Sequence, residues 1–214
     1  MNVVIDHLPF FLGGVLVTVQ LALWGFLGAS VIGVLVGACR VGPVPSLRVF
    51  AALYVEILRS LPITVILVFL YFAMPEVKIT LSGFSAAAVG LSLYYAAYIA
   101  EAVRSGVNAV PKGHVDAGRA LGLNYMLLLR RIVLPQALRN VVPPIGNIFL
   151  DVAKNTSIAY TITVLEITGR ATDLVSRFAE PTAVFAAAAV AYLVLTIPLG
   201  LFFRKLEKRT AILR

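Results

Sequence analysis

Long apolar runs separated by short polar ones set the pattern of this chain, and the runs are too long for strands. Residues 8 to 39 carry no charged side chain. A helix crosses the hydrocarbon layer of a bilayer with about 20 mostly apolar residues, so this run, read as about 9–39, predicts one tilted span with an interfacial extension. It is longer than the core of a secretory signal and no basic stretch precedes it, so it is read as retained. A second span is predicted at about 53–73, with Glu56 and Arg59 near its start. A third, about 79–103, opens on a charge-free stretch that lasts to Ala100. Residues 140–150 and 155–165 are each charge-free but short, with Asp151 and Lys154 between them, and predict an interrupted fourth span over 137–165. A fifth, 181–203, stops at Arg204-Lys205. The predicted fold class is all-α: one integral membrane helical bundle over 1–214 with five transmembrane helices.

Composition agrees with that pattern. Apolar residues make up 60% of the chain and charged residues 13%, against roughly 45–50% and ~25% in soluble domains. Mean hydropathy is +0.96. There is too little polar surface to cover a globule, which excludes a free soluble enzyme. The single cysteine, Cys39, excludes an internal disulfide and a cysteine-rich zinc cluster. Two histidines, His7 and His114, argue against a histidine-built catalytic metal site. The net charge of +8 would suggest nucleic acid on a soluble protein. Here it is better read as membrane topology, because basic residues are retained on the cytoplasmic side. With five spans, twelve Lys and Arg fall on one side, in the 40–48 loop, the 112–139 segment and the C-terminal tail. Only Lys78, Arg170 and Arg177 fall on the other, and Arg59, Arg104 and Lys154 lie in or near the spans. This asymmetry predicts the N-terminus outside and the C-terminus in the cytoplasm, with 74–78 and 170–180 facing outward.

Charges within the spans need a reason, since each costs about 2.5–3.5 kcal/mol at the bilayer centre on insertion scales. Glu56/Arg59, Glu101/Arg104 and Asp151/Lys154 each set an acid three residues before a base. On a helix such residues are neighbours and can neutralise one another; the same residues could instead line a polar pathway between spans. The third pair favours the pathway more, because it interrupts an apolar stretch and leads into Asn155-Thr156-Ser157. Non-helical backbone with hydrogen-bonding side chains survives at depth only where protein or a water-filled cavity covers it. Tyr94, Tyr95 and Tyr98 suit helix packing and interfacial anchoring as well as a pathway. Gly13-Gly14 and the Gly33/Gly37 spacing permit close helix contact.

The cytoplasmic segment 111–135 opens with a predicted short helix, about 111–122. Pro111 suits its first position and Gly122 the left-handed residue after its end. Val115, Ala117, Ala120 and Leu121 are available to one face. A helix this short is not stable alone. Docking in the groove of a cytoplasmic partner and lying on the bilayer beside Arg130 and Arg131 both remain open on these grounds.

Asp116-Ala117-Gly118, then Gly122 four residues on, and Ile132-x-Leu134-Pro135 after nine more, resemble the EAA loop of ABC importer permeases. Asp stands for Glu at 116, which keeps the charge. Gly stands for Ala at 118, which removes a helix-favouring methyl. Val110 to Gly113, Ala120-Leu121-Gly122, Leu134 to Ala137, Asn147, Tyr54-Val55-Glu56 with Arg59 to Pro62, and Lys154 to Ser157 resemble the polar amino acid permeases of the histidine/glutamine/glutamate type. The resemblance covers about residues 10 to 205. It implies a bacterial-type inner-membrane import system with a second permease subunit, paralogue or copy, two cytoplasmic ATPase subunits and an extracytoplasmic amino acid binding protein. Lys112, Val115, Asp116, Ala117, Gly118, Ala120, Leu121 and Gly122 would form the ATPase-coupling helix. Glu56, Arg59, Tyr98, Glu101, Asp151, Lys154, Asn155, Thr156 and Ser157 would lie along the substrate pathway. The chain has no G-x-x-x-x-G-K-[ST] phosphate loop, so ATP and magnesium are expected on the partner ATPase, with no cofactor, catalytic residue or metal ligand here. Many relatives carry an acid at the position of Asn155. The neutral amide beside Lys154 favours glutamate, glutamine or aspartate over cationic amino acids. A self-sufficient secondary carrier or channel is the alternative, although no inverted repeat relates the halves; an intramembrane enzyme lacks an acid/base or metal constellation.

Overall fold

The computed structural model describes residues 2–210, and side chains from Val3 to Lys208. Of the basic tail, Arg214 and the Arg209 side chain therefore lie outside the described residues. Every regular element among the described residues is helical. A short α1 (Asn2–Asp6) leads into α2 (Leu8–Val41), followed by α3 (Pro45–Ser60) and α4 (Ile63–Val68). The chain then tightens and relaxes through a π turn, Phe69–Ala73, and a 3-10 turn, Met74–Val77. Next come α5 (Gly83–Asn108), α6 (Lys112–Ala120) and α7 (Tyr125–Leu128), and a π turn (Leu129–Val133) opens α8 (Leu134–Asn155). A 3-10 segment, Thr156–Ile162, α9 (Ile167–Phe178) and α10 (Pro181–Thr210) complete the chain.

Three helices, α2, α5 and α10, are long and apolar enough to cross a bilayer, and the bent α3–α4 pair makes a fourth if counted as one span. The second expected span, 53–73, is therefore not one continuous helix. It breaks at Leu61-Pro62, where the backbone is extended and the flanking helices meet at 102°. Proline has no N–H to donate and pushes the residue before it out of the helical region. The fourth run behaves differently again. Asp151 and Lys154 do not interrupt it, because α8 continues through both, and the backbone tightens only at Thr156. α8 is long enough to cross, but Arg139, Asp151 and Lys154 lower its apolarity.

The core lies between α2, α5 and α8, around Leu21, Leu91, Ile99, Val152 and Ala153. α2 meets α5 along a seam of glycines. A Cβ at Gly33 would stand 2.6 Å from the Ile99 Cβ and 2.8 Å from the Ala96 carbonyl oxygen; one at Gly37 would stand 2.8 Å from the Val103 Cβ. Without hydrophobic drive between helices in lipid, such close backbone approach supplies the attraction by van der Waals packing. A second core joins α2, α9 and α10 through Phe11, Ile167, Leu174 and Val184. The outer faces of α2 and α10 leave Leu16, Trp24, Leu35, Val194 and Leu201 exposed, as suits lipid or a membrane partner.

Candidate functional site

The tyrosine face of α5 brings together three of the side chains expected on the pathway, Arg59, Tyr98 and Asn155. Tyr94 and Tyr98, one turn apart on α5, share a hydroxyl–hydroxyl bond of 3.0 Å. Tyr95, buried beside them, has its ring 5.1 Å from that of Tyr94 and 5.9 Å from that of Tyr98. From α3, the Arg59 guanidinium carbon sits 5.2 Å from the centre of the Tyr98 ring, a favourable site for a cation over a π face. From α8, the Asn155 side-chain amide donates to the Tyr95 hydroxyl. Arg59, Tyr98 and Asn155 thus meet through the three tyrosines, with residues from three helices.

The three acid–base pairs do not share one fate. Glu101 accepts from Arg104 at 2.5 Å and also from Arg40, which reaches over from the end of α2. Asp151 and Lys154 pair at 3.0 Å on an exposed face of α8. Glu56 and Arg59 do not pair; Glu56 is exposed and Arg59 turns to Tyr98. Of the two readings open for the first pair, neutralisation between Glu56 and Arg59 is not formed, because Arg59 is set over the Tyr98 ring. Thr156 is fully buried, and its hydroxyl is used by the Ala153 carbonyl at 2.9 Å. Ser157 is half-buried on the 3-10 segment.

The motif in the cytoplasmic segment has a direct packing basis. α6 ends with Leu123 N–H donating to Gly118 O at 3.1 Å and Gly122 N–H donating to Arg119 O at 2.9 Å. Gly122 lies at φ +75°. This is the six-to-one and five-to-two pattern that closes a helix with a left-handed glycine. Gly118 is the buried position of the helix. A Cβ there would stand 2.7 Å from the Ile132 Cδ1 and 3.2 Å from the Leu128 Cδ1, so the glycine admits the isoleucine of the same motif. His114 Nδ1 lies 3.0 Å from Gln136 Oε1, and Gln136 in turn donates to Ile132 O at 2.9 Å. The inner side of α6 is thereby fixed to the start of α8. Lys112, Asp116, Ala117, Ala120 and Leu121 are left exposed and Val115 half-buried. Leu121 is 81% exposed, an apolar knob held out at the helix end.

The family model described as "Binding-protein-dependent transport system inner membrane component" matches residues 29–212. The chain belongs to this family. Among similar proteins, a probable glutamine ABC transporter permease protein, GlnM of Bacillus subtilis (strain 168), is 35% identical, with 97% of this chain and 96% of that protein covered. The glutamate transport system permease protein GluC of Corynebacterium efficiens is 35% identical over 95% of each. A crystal structure of an amino acid ABC transporter with histidines superposes with a TM-score of 0.92 at 25% identity, covering 96% of both chains. The methionine transporter MetNI, in an inward-facing form, shares the fold at a TM-score of 0.73 and 22% identity over 99% of this chain and 98% of that one. The protein is thus a multi-pass permease component, a transport subunit by family rather than an enzyme.

Two features of this permease go beyond its sequence pattern. Arg40 reads as a loop residue, yet it completes the Glu101 pair across 61 residues of sequence, a separation that no local spacing reveals. Glu166 is fully buried and caps α9, accepting from Thr168 N–H at 2.9 Å and Gly169 N–H at 2.8 Å. It also accepts from the Tyr192 hydroxyl of α10 at 2.6 Å. Glutamate is not among the residues that favour an N-terminal cap, so no local sequence signal marks this role.

Proposed function

We propose that the chain forms half of the translocation pathway of an ATP-driven importer of polar amino acids, glutamine, glutamate or aspartate, working by alternating access. In this reading it crosses the membrane five times, α8 making a crossing shielded by α5 and α10, with the N-terminus outside and the C-terminus cytoplasmic. A second permease subunit completes the pathway. An extracytoplasmic binding protein delivers the amino acid. Two cytoplasmic ATPase subunits, carrying ATP and magnesium, dock on α6, where Leu121 and Ala117 offer an apolar contact and Lys112 and Asp116 a charged one.

The observation that carries the substrate reading is the charge balance around the tyrosines. Glu101 and Asp151 are each held by a cation of this chain, while Arg59 is set over the Tyr98 ring with no carboxylate partner among the described residues. Asn155 brings an amide and no charge. A carboxylate meeting Arg59 gains a charge-assisted hydrogen bond, and a side-chain amide finds hydroxyl partners. For a cationic side chain Glu101 and Asp151 are already taken, and of the pathway carboxylates only Glu56, exposed on α3, is left to meet it; an unpaired charge is costly in a poorly hydrated cavity. Arg59→Gln is expected to lower glutamine or glutamate uptake by roughly 10- to 100-fold, since hydrogen bonds to charged groups contribute about 1.5–3 kcal/mol. Competition for uptake in the reconstituted transporter by glutamate, glutamine and arginine, in wild type and in Asn155→Asp, tests the selectivity. Better arginine competition in the Asp variant supports it. Arginine as the preferred wild-type substrate ends it.

A further inference from the structure

At the ends of α2 and α5 nearest α6, a cleft of about 500 Å³ opens between α2, α3 and α5. Arg40, Arg48, Arg104 and Asn108 supply its polar lining, and Val41, Ala52 and Val107 its apolar wall. Among the described residues, Glu101 is the one carboxylate bonded to these arginines, and it holds both Arg40 and Arg104. Three guanidinium groups against one carboxylate leave an excess of positive charge. Arg48 comes from a different helix and stays exposed, its one side-chain hydrogen bond among the described residues running to Gly42 O at 3.1 Å. The N-terminus of α3 opens at the same place. It begins at Pro45 with no acid in its first turn and no side-chain cap, so the positive end of a 16-residue helix adds to the field.

We propose that this cleft binds the phosphate headgroup of an anionic phospholipid. Arginine forks match phosphate oxygens in pairs, and basic pockets between helices at the membrane surface suit lipid headgroups. The surroundings favour a lipid over a free phosphate. Val44, Leu47 and Phe50, near the start of α3, are exposed. A headgroup seated among the arginines has apolar surface beside it for its acyl chains. Glu101 fixes Arg40 and Arg104 in position, so the cleft is organised before the lipid arrives, and Arg48 closes it from α3.

The test is native mass spectrometry of the assembled transporter in detergent, titrated separately with phosphatidylglycerol, phosphatidylcholine and inorganic phosphate. Its readout is binding, independent of which amino acid the chain carries. Phosphatidylglycerol is expected to bind in preference to phosphatidylcholine. Arg48→Gln should weaken it about fivefold, the scale of one basic residue at a charged surface, Arg48→Lys should largely restore it, and Arg130→Gln, outside the cleft, should leave it unchanged. Equal binding of the two lipids, no loss in Arg48→Gln, or an equal loss in Arg130→Gln overturns the proposal. So does inorganic phosphate binding with the affinity of the lipid.

Discussion

Gly122→Val is expected to abolish transport while the protein still inserts and folds. The reason is conformational rather than steric, since a Cβ at Gly122 would meet nothing within 4 Å, whereas the backbone stands at φ +75°. A side chain in the left-handed region costs about 1–2 kcal/mol, and a β-branched one is a worse fit than most. α6 has nine residues and little cooperativity with which to hold that strain. The cap should rearrange, the Leu123-to-Gly118 and Gly122-to-Arg119 bonds should loosen, and Leu121 should lose its presented position. If α6 transmits the ATPase movement, uptake fails even though α2, α5 and α10 are untouched. Gly122→Asn should retain most activity, because asparagine visits the left-handed region more readily. Uptake and ATPase rates of the reconstituted transporter decide the matter. Normal uptake by the valine variant would remove the coupling role from this segment.

Glu166→Ala should lower the thermal unfolding midpoint of the detergent-solubilised protein by about 10 °C or more. The change orphans the Thr168 and Gly169 N–H groups and takes from Tyr192 its acceptor on Glu166. Each buried group left unpaired costs about 1–3 kcal/mol, and 1 kcal/mol shifts the midpoint by roughly 2–4 °C in a chain of this size. The Thr168 hydroxyl, 3.0 Å from that of Tyr192, replaces part of one bond. Glu166→Gln keeps one acceptor oxygen and should shift the midpoint much less. A shift below about 3 °C in the alanine variant would mean that α9 and α10 are held mainly by Ile167, Leu174 and Val184.

What the sequence could reveal depended on whether the cause was local. The apolar runs of α2, α5 and α10 are written in consecutive residues, and so is the stop of α6 at Gly122. The break at Pro62 was also local, but hydropathy averages over it and reports one span. The Arg59–Tyr98 contact joins α3 to α5 and outcompetes the nearer Glu56, a choice that no i,i+3 rule contains. Likewise, Tyr95 reads as an anchor until Asn155, 60 residues away, is found on its hydroxyl. The glycine at 118 looked like a weakened helix position. It is the space that Ile132 fills, so the two motif positions explain each other only in three dimensions.

The glycine seam also has a consequence for how the chain is made. α2 emerges from the ribosome before its partner helix, which begins only at Gly83, so at roughly 5–20 residues per second the wait after Val41 lasts roughly 2–8 s. A groove lined by charge or unpaired polar groups would be costly to hold in lipid for that time. Gly25, Gly33 and Gly37 carry no such groups, and their backbone bonds close within the helix itself. α2 can therefore wait in the bilayer alone, with acyl chains filling the groove until α5 displaces them.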